Sequence, residues 1–102
     1  MTTRKKIEAE ISSGNVFLDL GFEQPEAEEL LLKAKLMAKI VSIIKARKLK
    51  QAETAAILGI AQPNVSALMN GRLEGFSIER LVRFLNALDT KVDLVFFDLQ
   101  AG

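Results

Sequence analysis

The chain has 102 residues, 49% of them hydrophobic, with 14 Lys and Arg against 13 Asp and Glu. It has no Cys and no His, which excludes a disulfide framework, a zinc-finger ligand set and the commonest general base. No apolar run approaches the roughly 20 residues of a membrane span, so one small soluble cytoplasmic domain with a tail is expected.

The net charge of +1 hides an uneven distribution. Residues 1–30 carry three basic against seven acidic residues, net −4; residues 31–102 carry eleven against six, net +5. A basic body with an acidic arm suits a polyanion-binding domain that carries a separate interaction tail.

Residues 1–14 are polar and are expected to be mobile. Arg4, Lys5 and Lys6 have no apolar stretch behind them, so this is not read as a secretory signal. Next, NVFLDLG at residues 15–21 places Val16, Phe17, Leu18 and Leu20 between Gly14 and Gly21. That composition predicts a short extended segment over 15–20. Such a segment either folds back onto its own core or orders on a partner protein.

Pro25 opens a long helix whose first turns hold Glu26, Glu28 and Glu29, the favourable charge at a helix N-terminus. Leu36, Ile40, Ile43 and Ile44 step at helical spacing, flanked by Leu32 and Met37, and predict a core face. Lys33, Lys35, Lys39, Lys45, Arg47, Lys48 and Lys50 follow without an acid between them. Most lysine runs are solvated faces. This one ends beside the next element, so Arg47, Lys48 and Lys50 are candidates for phosphate contact.

That element, QAETAAILGIAQPNVSALMNG at residues 51–71, organises the chain. Gly59 directly follows Ile57 and Leu58 and marks a helix end, because glycine enters the left-handed turn cheaply. Pro63 suits the first turn of a second helix, which stops at Asn70-Gly71. Ala55 lies where two steeply crossing helices approach, and Val65 and Leu68 share an inner face. Alone, this pattern also describes a plain helical hairpin. With its basic flank it predicts a helix-turn-helix whose second helix reads base edges through Gln62, Pro63, Asn64, Ser66 and Ala67. Gln51, Asn70 and Arg72 join Arg47, Lys48 and Lys50 as expected phosphate contacts. Ala61 is a weaker N-cap than Ser or Thr, and Pro63 offers a base only apolar contact. The ordered set Gln51, Ala55, Gly59, Ile60, Val65, Leu68 and Asn70-Gly71 resembles the helix-turn-helix of lambda-repressor-like (Xre-family) regulators.

Ser77 caps a further helix with Glu79 in its first turn; Ile78, Leu81, Val82, Leu85 and Leu88 form its apolar face, and Arg80 and Arg83 are expected to be exposed. The chain then runs into KVDLVFFDL, residues 91–99. Val92, Leu94 and Phe96 alternate with Asp93, Val95 and Phe97, which predicts a β-strand. A strand needs a partner: either residues 15–20 or the same strand of a second copy, which would give a two-fold dimer through Val92, Leu94, Val95, Phe96 and Phe97. Asp89, Asp93 and Asp98 have no further ligands beside them and read as edge protection, with no metal expected.

The expected fold is therefore mainly α: a flexible arm over 1–24 and a helix-turn-helix and dimerisation domain over 25–99, ending in a β-strand that pairs across a dimer. Residues 15–97 resemble HigA-type antitoxins of bacterial toxin–antitoxin operons, most specifically at Leu58-Gly59-Ile60, Gln62-Pro63-x-Val65-Ser66 and Gly71-Arg72-Leu73-x-Gly75-Phe76-Ser77. The resemblance implies a homodimer that represses its own operon at palindromic half-sites and neutralises a RelE/HigB-like mRNA interferase. The acidic, apolar arm fits a basic toxin, with Val16, Phe17, Leu18 and Leu20 as the candidate contacts. The alternative is a stand-alone phage-type repressor, in which the arm is dispensable; a helical interaction module without DNA activity is a third class. No catalytic constellation and no cofactor site is expected, because no convergent acid pair or glycine-rich phosphate loop is present.

Overall fold

The computed structural model describes residues 15–98. Five α-helices and one 3-10 turn follow in order: α1 Val16–Asp19, α2 Gln24–Ala46, α3 Gln51–Leu58, α4 Gln62–Met69, the 3-10 turn Leu73–Gly75, and α5 Ile78–Ala87. The expected mobility of residues 1–14 lies outside the described part.

Helix α2, 23 residues long, is the spine. It buries Ala27, Met37, Ile40 and Ile44. Met37 therefore belongs to the inner row, while Leu36 and Ile43 pack at its edge and Leu32 stays exposed. Helix α5 lies against α2 through Leu81, Phe84 and Leu85, and Leu58, Leu68 and Leu88 close the same cluster. Phe84, absent from the predicted apolar face, is 5% exposed and meets Phe76 edge-to-face at 6.0 Å.

The helix ends have a common chemistry. At α1, α2, α4 and α5 the residue after the C-cap takes a left-handed conformation: Gly21 (φ 99°), Lys48 (φ 55°), Gly71 (φ 74°) and Asp89 (φ 59°). The amide one residue further on then turns back into the last turn, as in Leu49 N to Ile44 O at 3.1 Å and Thr90 N to Leu85 O at 2.8 Å. These paired bonds satisfy carbonyls that a helix end leaves open. Two of the four positions hold a residue other than glycine, so the α2 and α5 ends were harder to place from sequence.

Two expectations are corrected. Residues 16–19 form a helix, not an extended segment. Asn15 explains it: its Oδ1 accepts from the Phe17 amide at 2.9 Å, capping the turn, and its Nδ2 donates to the Ala27 carbonyl at 2.9 Å, fastening α1 to α2. The predicted C-terminal β-strand is also absent: residues 91–98 carry no regular secondary structure. A strand is stable only when its amides and carbonyls pair with a neighbour, and the one candidate within the described chain, residues 15–20, is helical. Alternation and β-branched composition predicted the local preference of 91–98 without supplying that neighbour.

Candidate nucleic-acid interface

Helices α3 and α4 are built by their own turn. Gly59, at φ 70°, ends α3, and the amides of Gly59 and Ile60 both reach the Ala55 carbonyl, at 2.8 and 3.1 Å. A Cβ on Gly59 would meet nothing within 4 Å, so the glycine serves backbone conformation alone. Val65 (1% exposed) and Leu68 (0%) anchor α4 to the body. With about 100° between successive residues, the direction opposite that anchor falls on Pro63, Ser66 and Asn70, whereas Ala67, at its edge, packs against the core. Gln62 and Asn64 stand on its two edges.

Exposure refines that list. Gln62, Pro63 and Asn64 in the first turn are exposed; Ser66 and Ala67 are half-buried. The accessible candidate base readers therefore sit at the N-terminal end of α4. This is the end that enters a major groove in helix-turn-helix docking. Gln62 brings an amide able to donate and accept at once, the pairing that adenine offers. The N-cap, Ala61, makes no side-chain cap bond, so no side chain covers the open amides there.

The phosphate candidates fall on two flanks. Arg47, Lys48, Lys50 and Gln51 lie in the turn leading into α3, and Asn70 and Arg72 follow α4; all six are exposed. Arg47 is partly committed elsewhere, since its Nη2 donates to the Leu88 carbonyl at 2.7 Å. Lys50 is held by its backbone: its amide donates to Glu53 Oε1 at 2.8 Å, and its carbonyl accepts from Thr54 Oγ1 at 3.0 Å. Thr54 is fully buried, and the hydroxyl bond satisfies it. Sequence reading did not single out Glu53 or Thr54, although an acid three residues after a helix N-cap is a recognisable signal.

The other candidate surface is separate. Within α1 and its turn, Val16, Leu18, Leu20 and Phe22 are exposed, and Phe17 is half-buried against Phe22, with ring centroids 6.2 Å apart. Asp19, Glu23, Glu26, Glu28 and Glu29 surround them in sequence. Val92 packs on the core, whereas Leu94, Val95, Phe96 and Phe97 are exposed. Among the described residues no acidic cluster has metal-holding geometry, and no helix is long and apolar enough to cross a membrane.

Comparison with known proteins agrees with this geometry. A helix-turn-helix domain family matches residues 16–96. A solved structure named as an XRE family transcriptional regulator is 48% identical, with a TM-score of 0.69, covering 76% of this chain and 86% of its own. No match was found among curated proteins.

Proposed function

The chain belongs to the XRE type of the helix-turn-helix domain family, a family of regulators and not an enzyme class, and we propose that this member is a DNA-binding antitoxin that represses its own operon. The observation that carries the DNA part is the outer face of α4. Gln62, Pro63 and Asn64 stand exposed without a charge, and in the chain exposed cations precede them at Arg47, Lys48 and Lys50 and follow at Arg72. Uncharged side chains at base edges and cations at phosphates is the division that sequence-specific recognition requires.

The antitoxin part rests on α1. A four-residue helix that, with its C-cap Leu20, leaves Val16, Leu18 and Leu20 exposed contributes little to its own core. With Asp19, Glu23 and Glu26 close to it in the chain, it suits a basic protein partner such as a RelE/HigB-like toxin, bound through Val16, Phe17, Leu18 and Leu20. In this reading the regulator is a homodimer on palindromic half-sites in the bacterial cytoplasm. A stand-alone repressor is the second reading, and it needs no function for that surface.

One experiment separates them. The full chain, and a full chain with Leu18→Asp and Leu20→Asp, are used to capture proteins from the native host. Operator-region DNA binding is measured alongside. Capture of a small basic protein by the parent alone, with equal DNA binding, supports the antitoxin. If neither form captures a partner and both bind DNA, the plain repressor is the better account.

A further inference from the structure

One face of α2 and the turn after α4 form an apolar groove of about 450 Å³, a volume within the range of small-ligand sites. Met37, Val41, Met69 and Leu73 form its walls, and Ala34 and Ala38, one turn apart on α2, are the small side chains that leave the space open. The groove has a polarity. Its polar side chains, Ser42 and Lys45, are three apart on α2 and so share one face at one end. The rest of the lining is apolar, and none of it is acidic. Among the described residues no carboxylate pairs with Lys45.

We infer that the groove binds a free medium-chain monocarboxylate, with its carboxylate at Ser42 and Lys45 and its alkyl chain running toward Ala34. Charge and length both select this ligand. An ammonium and a hydroxyl at one end offer donors to the two carboxylate oxygens, and one cation matches one negative charge. Methionine walls adapt to an unbranched chain. Ser42 to Ala34 is eight residues of helix, about 12 Å at 1.5 Å per residue. An extended chain covers about 3.6 Å in three bonds, so about ten carbons span the distance. An extended peptide fits less well, because it brings backbone amides and carbonyls that this lining leaves unpaired. Occupation has a consequence for DNA binding that rests on the reading above. Lys45 belongs to the basic run that continues through Arg47, Lys48 and Lys50, and Gly71 in the wall directly precedes Arg72. A bound carboxylate cancels one positive charge there, so affinity for DNA falls. By linkage, DNA weakens the ligand by the same factor.

Calorimetric titration of the full chain with sodium decanoate, below the concentration at which it forms micelles, tests the site. Decyltrimethylammonium is the control of equal length and opposite charge. Decanoate binds saturably and at least about threefold more tightly than the cation, the scale of an exposed ion pair. Lys45→Met keeps the apolar stem and removes that preference. Ala38→Trp weakens both ligands by about tenfold or more, because an indole takes the place of the chain. Ala38 and Lys45 are exposed, so the fold tolerates both changes, and thermal unfolding verifies it. Equal decanoate binding by the parent and Ala38→Trp puts the ligand elsewhere and overturns the inference. So does a parent that never saturates. Sedimentation in which decanoate and Ala38→Trp each dissociate a dimer overturns it too, since a second copy is then the occupant. In DNA titrations decanoate weakens the parent and leaves Ala38→Trp unaffected; equal DNA affinity with and without decanoate overturns the regulatory consequence. A parent that binds decanoate in the groove but binds no DNA leaves the site standing and removes the DNA reading.

Discussion

Arg47 Nη2 donates to the Leu88 carbonyl at 2.7 Å, joining the last turns of α2 and α5 across 41 positions of sequence. The bond ties the helix that leads into the reading motif to the helix that leads into the tail. It supplies a cation at a helix C-terminus, where the dipole favours one, and caps a carbonyl that the helix leaves open. Arg47 is thus first a structural residue, whatever it adds at a phosphate.

Arg47→Ala should therefore lower folding stability by about 1–2 kcal/mol, the range for a bond to a charged donor discounted for its partly exposed setting. Urea unfolding is the check: the midpoint falls and the slope is unchanged. If stability is intact and only the salt dependence of DNA binding falls, Arg47 is a phosphate contact and its bond to Leu88 is incidental.

Gln62→Ala should weaken binding to the specific site by about 1–3 kcal/mol and leave random-sequence DNA nearly unaffected. Gln62 is exposed on α4, so folding should not change. Competition binding at fixed salt measures both affinities. Equal losses on both DNAs would remove Gln62 from the base readers.

Arg72→Ala should weaken all DNA alike and reduce the slope of log affinity against log salt by about one unit. The side chain follows the left-handed Gly71, and its amide already returns to the Ala67 carbonyl at 3.1 Å, so its backbone is fixed before DNA arrives. Titration at three or more salt concentrations reads the slope; an unchanged slope shows that Arg72 touches no phosphate.

Asp89→Gly should stabilise the fold by about 1 kcal/mol. Asp89 holds a left-handed conformation that costs a side-chain-bearing residue energy, and it places a negative charge at the negative end of α5. Asp89→Asn removes the charge alone and should recover less. Thermal unfolding of the three proteins side by side tests the order; an aspartate as stable as glycine would mean the turn carries no strain.

Much of the reading motif was legible because its signals are local. Gly59 at the end of α3, Pro63 in the first turn of α4 and Ser77 accepting the Arg80 amide at 3.1 Å are each decided within a few residues by backbone sterics and capping chemistry. The core stripe of α2 was nearly legible, and missed only the rotation that puts Met37 inside and Leu32 outside.

The failures share a cause. NVFLDLG reads as extended by composition, yet Asn15 bonds both to Phe17 and to Ala27 twelve positions away, and that distant carbonyl is invisible in the sequence. KVDLVFF has the composition of a strand, but no strand lies beside it among the described residues. Likewise Lys48 and Asp89 occupy left-handed turns that sequence assigns to glycine. By itself, the sequence determined the two helices of the reading motif and the turn between them, because Gly59, Pro63 and Gly71 act on neighbours in the chain. Tertiary structure alone decided what α1 is fastened to, that Arg47 serves Leu88, and that the chain beyond Val92 is left exposed. Those depend on which distant groups meet, and a carbonyl, a helix face or a missing strand partner far along the chain leaves no periodic mark.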